Sequence, residues 1–151
     1  MEAHKKGNYS RLALMTGLHY GAMYLLMYAM VDSLDQVVAN ANQLYMAGLM
    51  TAPMLLIEVT LMRGMYPSAR YNTMILGFSA FLLVGAFLAI RYQAAIDDRQ
   101  FLRSMIPHHS GAILMCREST LRVPEIKALC GQIIESQKRE IAEMEALLDS
   151  P

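Results

Sequence analysis

"MILGFSAFLLVGAFLAI", residues 74–90, carries no charged side chain and a single hydroxyl, Ser79. With its flanks it fills residues 72–91. At about 1.5 Å of rise per residue such a helix crosses a hydrocarbon core roughly 30 Å thick. A run this apolar decides the fold class, because a small water-soluble domain has no core deep enough to hide it on all sides. Two further runs upstream extend the pattern. "LYMAGLMTAPMLLIEVTLM" at 44–62 is interrupted only by Pro53 and Glu58, and "LALMTGLHYGAMYLLMYAMV" at 12–31 only by His19. The sequence therefore predicts an all-α protein with three transmembrane helices, at about 12–31, 44–62 and 72–91, in a membrane domain spanning 1–92.

Composition agrees. The 151 residues are 55% hydrophobic and only 17% charged, against roughly 25% charged for an average soluble domain. Net charge is zero and no basic run occurs, which argues against nucleic-acid binding. The first apolar run follows Lys5, Lys6 and Arg11, as a signal peptide would. Its apolar core exceeds the 7–15 residues or so of a signal h-region, however, and "MVDSLDQVV" is no convincing cleavage site, so it reads as a retained anchor. Lys5, Lys6, Arg11, Arg63 and Arg70 place the N-terminus and the 63–70 loop on the cytoplasmic side. The 32–43 loop, with Asp32 and Asp35, and everything after residue 91 then lie outside. In a bacterial inner membrane that side is the periplasm, where thiols can oxidise.

Residues 93–151 form the water-side part. From 97 to about 119, Phe101, Leu102, Met105, Ala112 and Cys116 recur at helical spacing, and Pro107 is expected to kink or break the helix. "TLRVP" is a turn, and Pro124 opens a second helix running to about 148. The result is an antiparallel helical hairpin, half of a bundle. Such a hairpin cannot enclose a core alone, which predicts a homo-oligomer, a dimer or higher.

The stretch "FLRSMIPHHSGAILMC", 101–116, concentrates metal-capable side chains. At about 100° per residue, Met105, His109, Ala112 and Cys116 share one wedge, flanked by His108 and Met115. Centring the turn near 123 sets Cys116 level with Cys130 and the histidines level with Gln137, the one polar member of the second helix's apolar stripe. Met144 falls nearer the membrane. Each residue alone reads as ordinary: methionines fill cores, and Cys116 and Cys130 could ligate, bridge or simply pack. Coincidence on one face favours soft-metal binding, since imidazole with thioether suits copper or silver better than magnesium or calcium. No E-x-x-H pair or inward carboxylate cluster supports a di-iron site. No nucleophile, general base or cofactor loop supports an enzyme.

Residues 97–148 resemble the bacterial domain-of-unknown-function 305 family. The match rests on Met105, Pro107, His108, His109, Ala112 and Met115, then Ile134, Gln137, Glu140, Ile141 and Met144. The resemblance implies a ferritin-like helical module whose copper-binding members are of the CopM type. Carried over residue by residue, the implied Cu(I) or Cu(II) ligands are Met105, His108, His109, Met115 and Met144, with a homodimer completing a four-helix bundle. Gln137 would orient a histidine from behind.

The membrane part carries ladders of its own: Met15, His19, Met23 and Met27 in the first run, and Met46, Met50, Met54, Glu58 and Met62 in the second. Ionisable groups in a span mark functional sites, so His19 and Glu58 are expected to pair, with Met15 and Met62 beside them as a possible intramembrane site. Tyr20 lies too deep to reach headgroups and needs a hydroxyl partner. The reading is a non-enzymatic, lipid-embedded protein that sequesters or hands over copper or silver. Its alternative is an accessory subunit of a larger membrane complex, whose methionine-rich faces only pack.

Overall fold

A computed structural model describes residues 2–150, and side chains from residue 8 onward; Lys5 and Lys6 of the orientation argument fall outside the described side chains. Among the described residues the chain is all-helical, with no strand: α1 (Glu2–Leu26), α2 (Ala41–Leu61), α3 (Ala69–Arg91), α4 (Asp98–Glu118) and α5 (Pro124–Asp149). Short 3-10 turns occupy Met27–Met30, Leu34–Gln36 and Arg63–Met65.

Two of these helices, α2 and α3, are long and apolar enough to cross a membrane. The expectation of three is thereby corrected. The apolar run at 12–31 does not form one continuous helix: α1 starts in the polar N-terminal stretch and ends at Leu26. The last residues of that run wind into the 3-10 turn and serve the hairpin instead. Gly111 packs against the Met30 carbonyl, and Ser110 Oγ accepts from the Asp32 N–H at 2.6 Å. What remains in α1 is diluted by Thr16, Gly17, His19, Tyr20 and Gly21.

The chain divides into two compact units, Met1–Leu26 with Asn42–Ala94, and Met27–Ala41 with Ala95–Pro151. Residues 27–41 belong to the unit that holds the hairpin.

In the first unit, Leu12, Leu55, Val59 and Tyr66 form the core, with Tyr9, Ile75 and Leu76 packed on it. The buried face of α2 runs Gln43, Ala47, Gly48, Thr51, Ala52, Leu55, Val59. Its small residues let neighbouring helices approach closely; a Cβ on Gly48 would lie 3.4 Å from the Leu82 side chain. Met46, Met50 and Met62 face outward. Met54, the remaining methionine of that ladder, is half-buried. α3 has only 11% of its most apolar window buried, and Phe78, Phe81, Phe87 and Leu88 point away from protein. Tyr20 finds its hydroxyl partner in the Leu44 carbonyl, 3.1 Å away.

A polar network closes the 63–70 end. Tyr66 Oη donates to Glu58 Oε1 at 2.9 Å, Asn72 Nδ2 donates to the Tyr66 carbonyl, and Tyr9 Oη donates to Asn72 Oδ1. Burial, and then the bond to Glu58, push the Tyr66 hydroxyl up from its ordinary 10.0 to about 12. A raised folded value means the neutral, bonded form stabilises the unit fully below pH 10 and ceases to do so as pH passes about 12. Ultraviolet tyrosinate titration should therefore show a late-ionising phase, and Tyr66→Phe should reduce it. A profile unchanged by the substitution would contradict the assignment.

The second unit is the hairpin with residues 27–41 against it. Asp97 caps α4 by accepting from the Gln100 N–H at 2.7 Å, and Pro124 opens α5 where its missing N–H costs nothing. The expected break at Pro107 does not occur: α4 runs through it, giving up one backbone donor. Ile106, Ile113, Ile141 and Met144 form the core, with Val38, Leu102, Met105, Ile134 and Leu148 around them. On the flank, Ser110 Oγ donates to Gln36 Oε1, and the Arg117 guanidinium lies 2.8 Å from Asp32 Oδ1. These contacts hold the 27–41 segment on one side of the hairpin.

Candidate metal centre

The two histidines of α4 occupy different environments. His108 is exposed; His109 is buried, at 8% exposure, and the rings meet edge to face with centroids 6.0 Å apart. His109 Nδ1 lies 2.9 Å from the Met105 carbonyl and Nε2 lies 2.8 Å from Glu140 Oε2. Each ring nitrogen thus faces an acceptor, and an ion can reach His109 only by displacing one of them. Glu140 is itself held: the Ser136 hydroxyl donates to Oε1 at 2.6 Å. That bond, and then His109, keep the Glu140 carboxyl below the usual glutamate range.

Glu140 takes the place expected for Gln137. The levels drawn from the turn are sound, since Cys116 does meet Cys130 across the hairpin, with Cα atoms 5.2 Å apart. Side chains on a helix lean toward its N-terminus. His109 leans toward residue 105 and Glu140 leans back toward residue 137, so they meet although their Cα atoms differ by almost one turn in level. The lean, applied to the spacing, would have found this pair.

The other expected ligands separate into groups. Met144 is buried in the hairpin core, with Met105 packed against that cluster. Met115 is half-exposed. It stands on the His108 stripe, seven residues on, or about 10 Å along the axis, too far to share an ion with His108 on one helix. Cys116 and Cys130 are joined in a disulfide, which corrects their place in the ligand set: neither offers a thiolate in this state. Among the described residues no group of three or more His, Cys, Asp or Glu side chains converges. His108 is thus exposed, while Met105 and Met144 pack in or against the hairpin core.

The intramembrane pair does not form. Glu58 accepts from Tyr66, and no hydrogen bond or ion pair joins it to His19 among the described residues. His19 instead sits in a shallow groove on α1 with Arg11, Met15 and Leu18, while Met62 is exposed. The Tyr66 hydroxyl, arriving from the following turn, satisfies the carboxylate locally.

The family described as "Domain of unknown function (DUF305)" matches residues 88–148, which contain α4 and α5 whole up to Leu148. The chain is also 36% identical over 145 residues to "Uncharacterized protein L153" of Acanthamoeba polyphaga mimivirus, covering 94% of this chain and 93% of that protein. No solved structure matches it.

Proposed function

For a chain that belongs to the DUF305 family, with the histidine pair inside the matched region, we propose a membrane-anchored protein that binds copper or silver for sequestration or hand-over. The observation that carries this reading is that one hairpin holds both kinds of soft donor: the exposed imidazole of His108 on α4, and the thioethers of Met105 and Met144 in and against the hairpin core. That donor set suits Cu(I) and Ag(I), the soft monovalent ions, and is poor for hard cations. His109 enters as a further donor by exchanging Glu140 for the ion. Before that exchange the Glu140–His109 bond holds the ring in place. The copper is cargo, and the chain supplies no general base or nucleophile for turnover.

The anchor is the apolar pair α2 and α3. The hairpin lies on the oxidising side of the bilayer, opposite Arg63 and Arg70; a disulfide between Cys116 and Cys130 is at home there. The partner is a second copy. Phe101, His108 and Met115 recur every seven residues on α4, as do Ile126, Ile133, Glu140 and Leu147 on α5. Phe101, Met115, Ile126 and Leu147 are each about half exposed. Closing two such faces together completes a four-helix bundle and brings each hairpin's Met115 near donors of the other. A second reading, an accessory subunit of a larger membrane complex, draws on the outward Met46, Met50 and Met62. Purification in a stable hetero-complex without copper would favour it.

The deciding measurement is a Cu(I) titration of the full chain in detergent against the double variant His108→Ala/His109→Ala. The variant is expected to lose the tight site. Equal binding by both proteins would remove the proposed centre.

A further inference from the structure

The disulfide stands apart from the histidine centre, and its surroundings are those of a site. Cys116 and Cys130 are part-exposed and border an open cleft of about 340 Å³ at the turn end of the hairpin, where Ser119, Thr120 and Lys127 also line it. The core that holds α4 on α5, built on Ile106, Ile113, Ile141 and Met144, includes neither sulfur. Opening the cross-link therefore leaves the packing that closes the hairpin in place.

We infer that Cys116 and Cys130 form a redox-switched site for one monovalent soft ion, Cu(I) or Ag(I), closed as the disulfide and opened by a dithiol reductant. The reductant's thiolate attacks one sulfur of the bridge, forming a mixed disulfide and releasing the other cysteine as a thiolate. The reductant's second thiol then displaces the first cysteine. Two electrons and two protons pass to the protein, and the reductant leaves as its own disulfide. Binding the ion exchanges the two thiol protons for one metal centre held by two sulfurs.

Geometry selects the ion. Metal–thiolate bonds of about 2.3 Å require sulfurs roughly 4 to 4.6 Å apart, a span that side chains on Cα atoms 5.2 Å apart reach by rotation about χ1. No cluster of three or more His, Cys, Asp or Glu side chains surrounds them among the described residues. A closed zinc site takes four ligands, whereas two thiolates satisfy a soft monovalent ion. The resulting complex carries one negative charge, and the Lys127 ammonium on the same cleft offsets it.

The test uses the full chain in detergent under anaerobic conditions, titrated with Cu(I) in competition with bathocuproine disulfonate, before and after reduction by dithiothreitol and its removal. Reduction is expected to add one bound equivalent, and to do so equally in the His108→Ala/His109→Ala background, which keeps this site distinct from the histidine centre. Cys116→Ser/Cys130→Ser should show no gain. The proposal is overturned if reduced and oxidised protein bind the same amount of Cu(I). It is overturned equally if far-ultraviolet circular dichroism shows the helices lost on reduction.

Discussion

Ile106→Ala and Ile113→Ala should each destabilise the hairpin by about 2–5 kcal/mol. Both side chains are 1% exposed and lie at the centre of a small core that has few other large members, Ile141 and Met144 among them. Removing three methylene or methyl carbons from either site loses their transfer free energy and leaves a cavity. The isoleucine stripe of a two-helix hairpin has little neighbouring structure able to collapse into it. Whole domains are stable by only about 5–15 kcal/mol, so a loss of this size takes the hairpin close to unfolding at room temperature. Limited trypsin digestion reads it directly, because α5 carries Lys127, Lys138 and Arg139 on its exposed face. The variants should be cut there rapidly, while the late-ionising Tyr66 phenol of the other unit is unchanged. Wild-type protease resistance in either variant would show that the hairpin is held closed by something other than these residues.

The same hairpin shows how much of the molecule the sequence makes legible. Periodicity and Pro124 place α4 and α5 within a residue or two of their ends, whereas Pro107 signals a break that α4 does not make. The pairing of Cys116 with Cys130 follows from counting levels back from the turn. Local signals of this kind, caps and apolar spacing, act within a few residues and are visible in one dimension. The fate of Met27–Val31 is not. Its composition continues an apolar run, and only the arrival of Ser110 and Gly111, some eighty residues later in the chain, draws that segment into the hairpin. His109 is a similar case: its buried partner is set by the lean of two side chains across a helix pair, which a level count ignores. Glu58 was diverted by Tyr66 from a turn whose path the span pattern does not specify. Helical spacing alone reads Met105 and Met144 as inward, and both lie in or against the hairpin core.

Because the histidines differ in surroundings, substitutions at each should separate affinity from stability. His108→Ala removes an exposed imidazole with no hydrogen-bond partner to orphan, so copper affinity should fall while the melting temperature stays near wild type. Glu140→Ala strips the carboxylate from His109 Nε2 and the acceptor from the Ser136 hydroxyl. An ion that takes Nε2 leaves no place for Glu140 on the same nitrogen, so the substitution removes a competitor and copper affinity should rise while the melting temperature falls. His109→Ala should lower both quantities, since it leaves Glu140 without its imidazole partner at the edge of the core. Copper titration and thermal melting on the three variants form the check. Equal affinity losses for His108→Ala and His109→Ala, with unchanged melting in both, would mean that the two rings are interchangeable and that the buried pair has no part in holding the site.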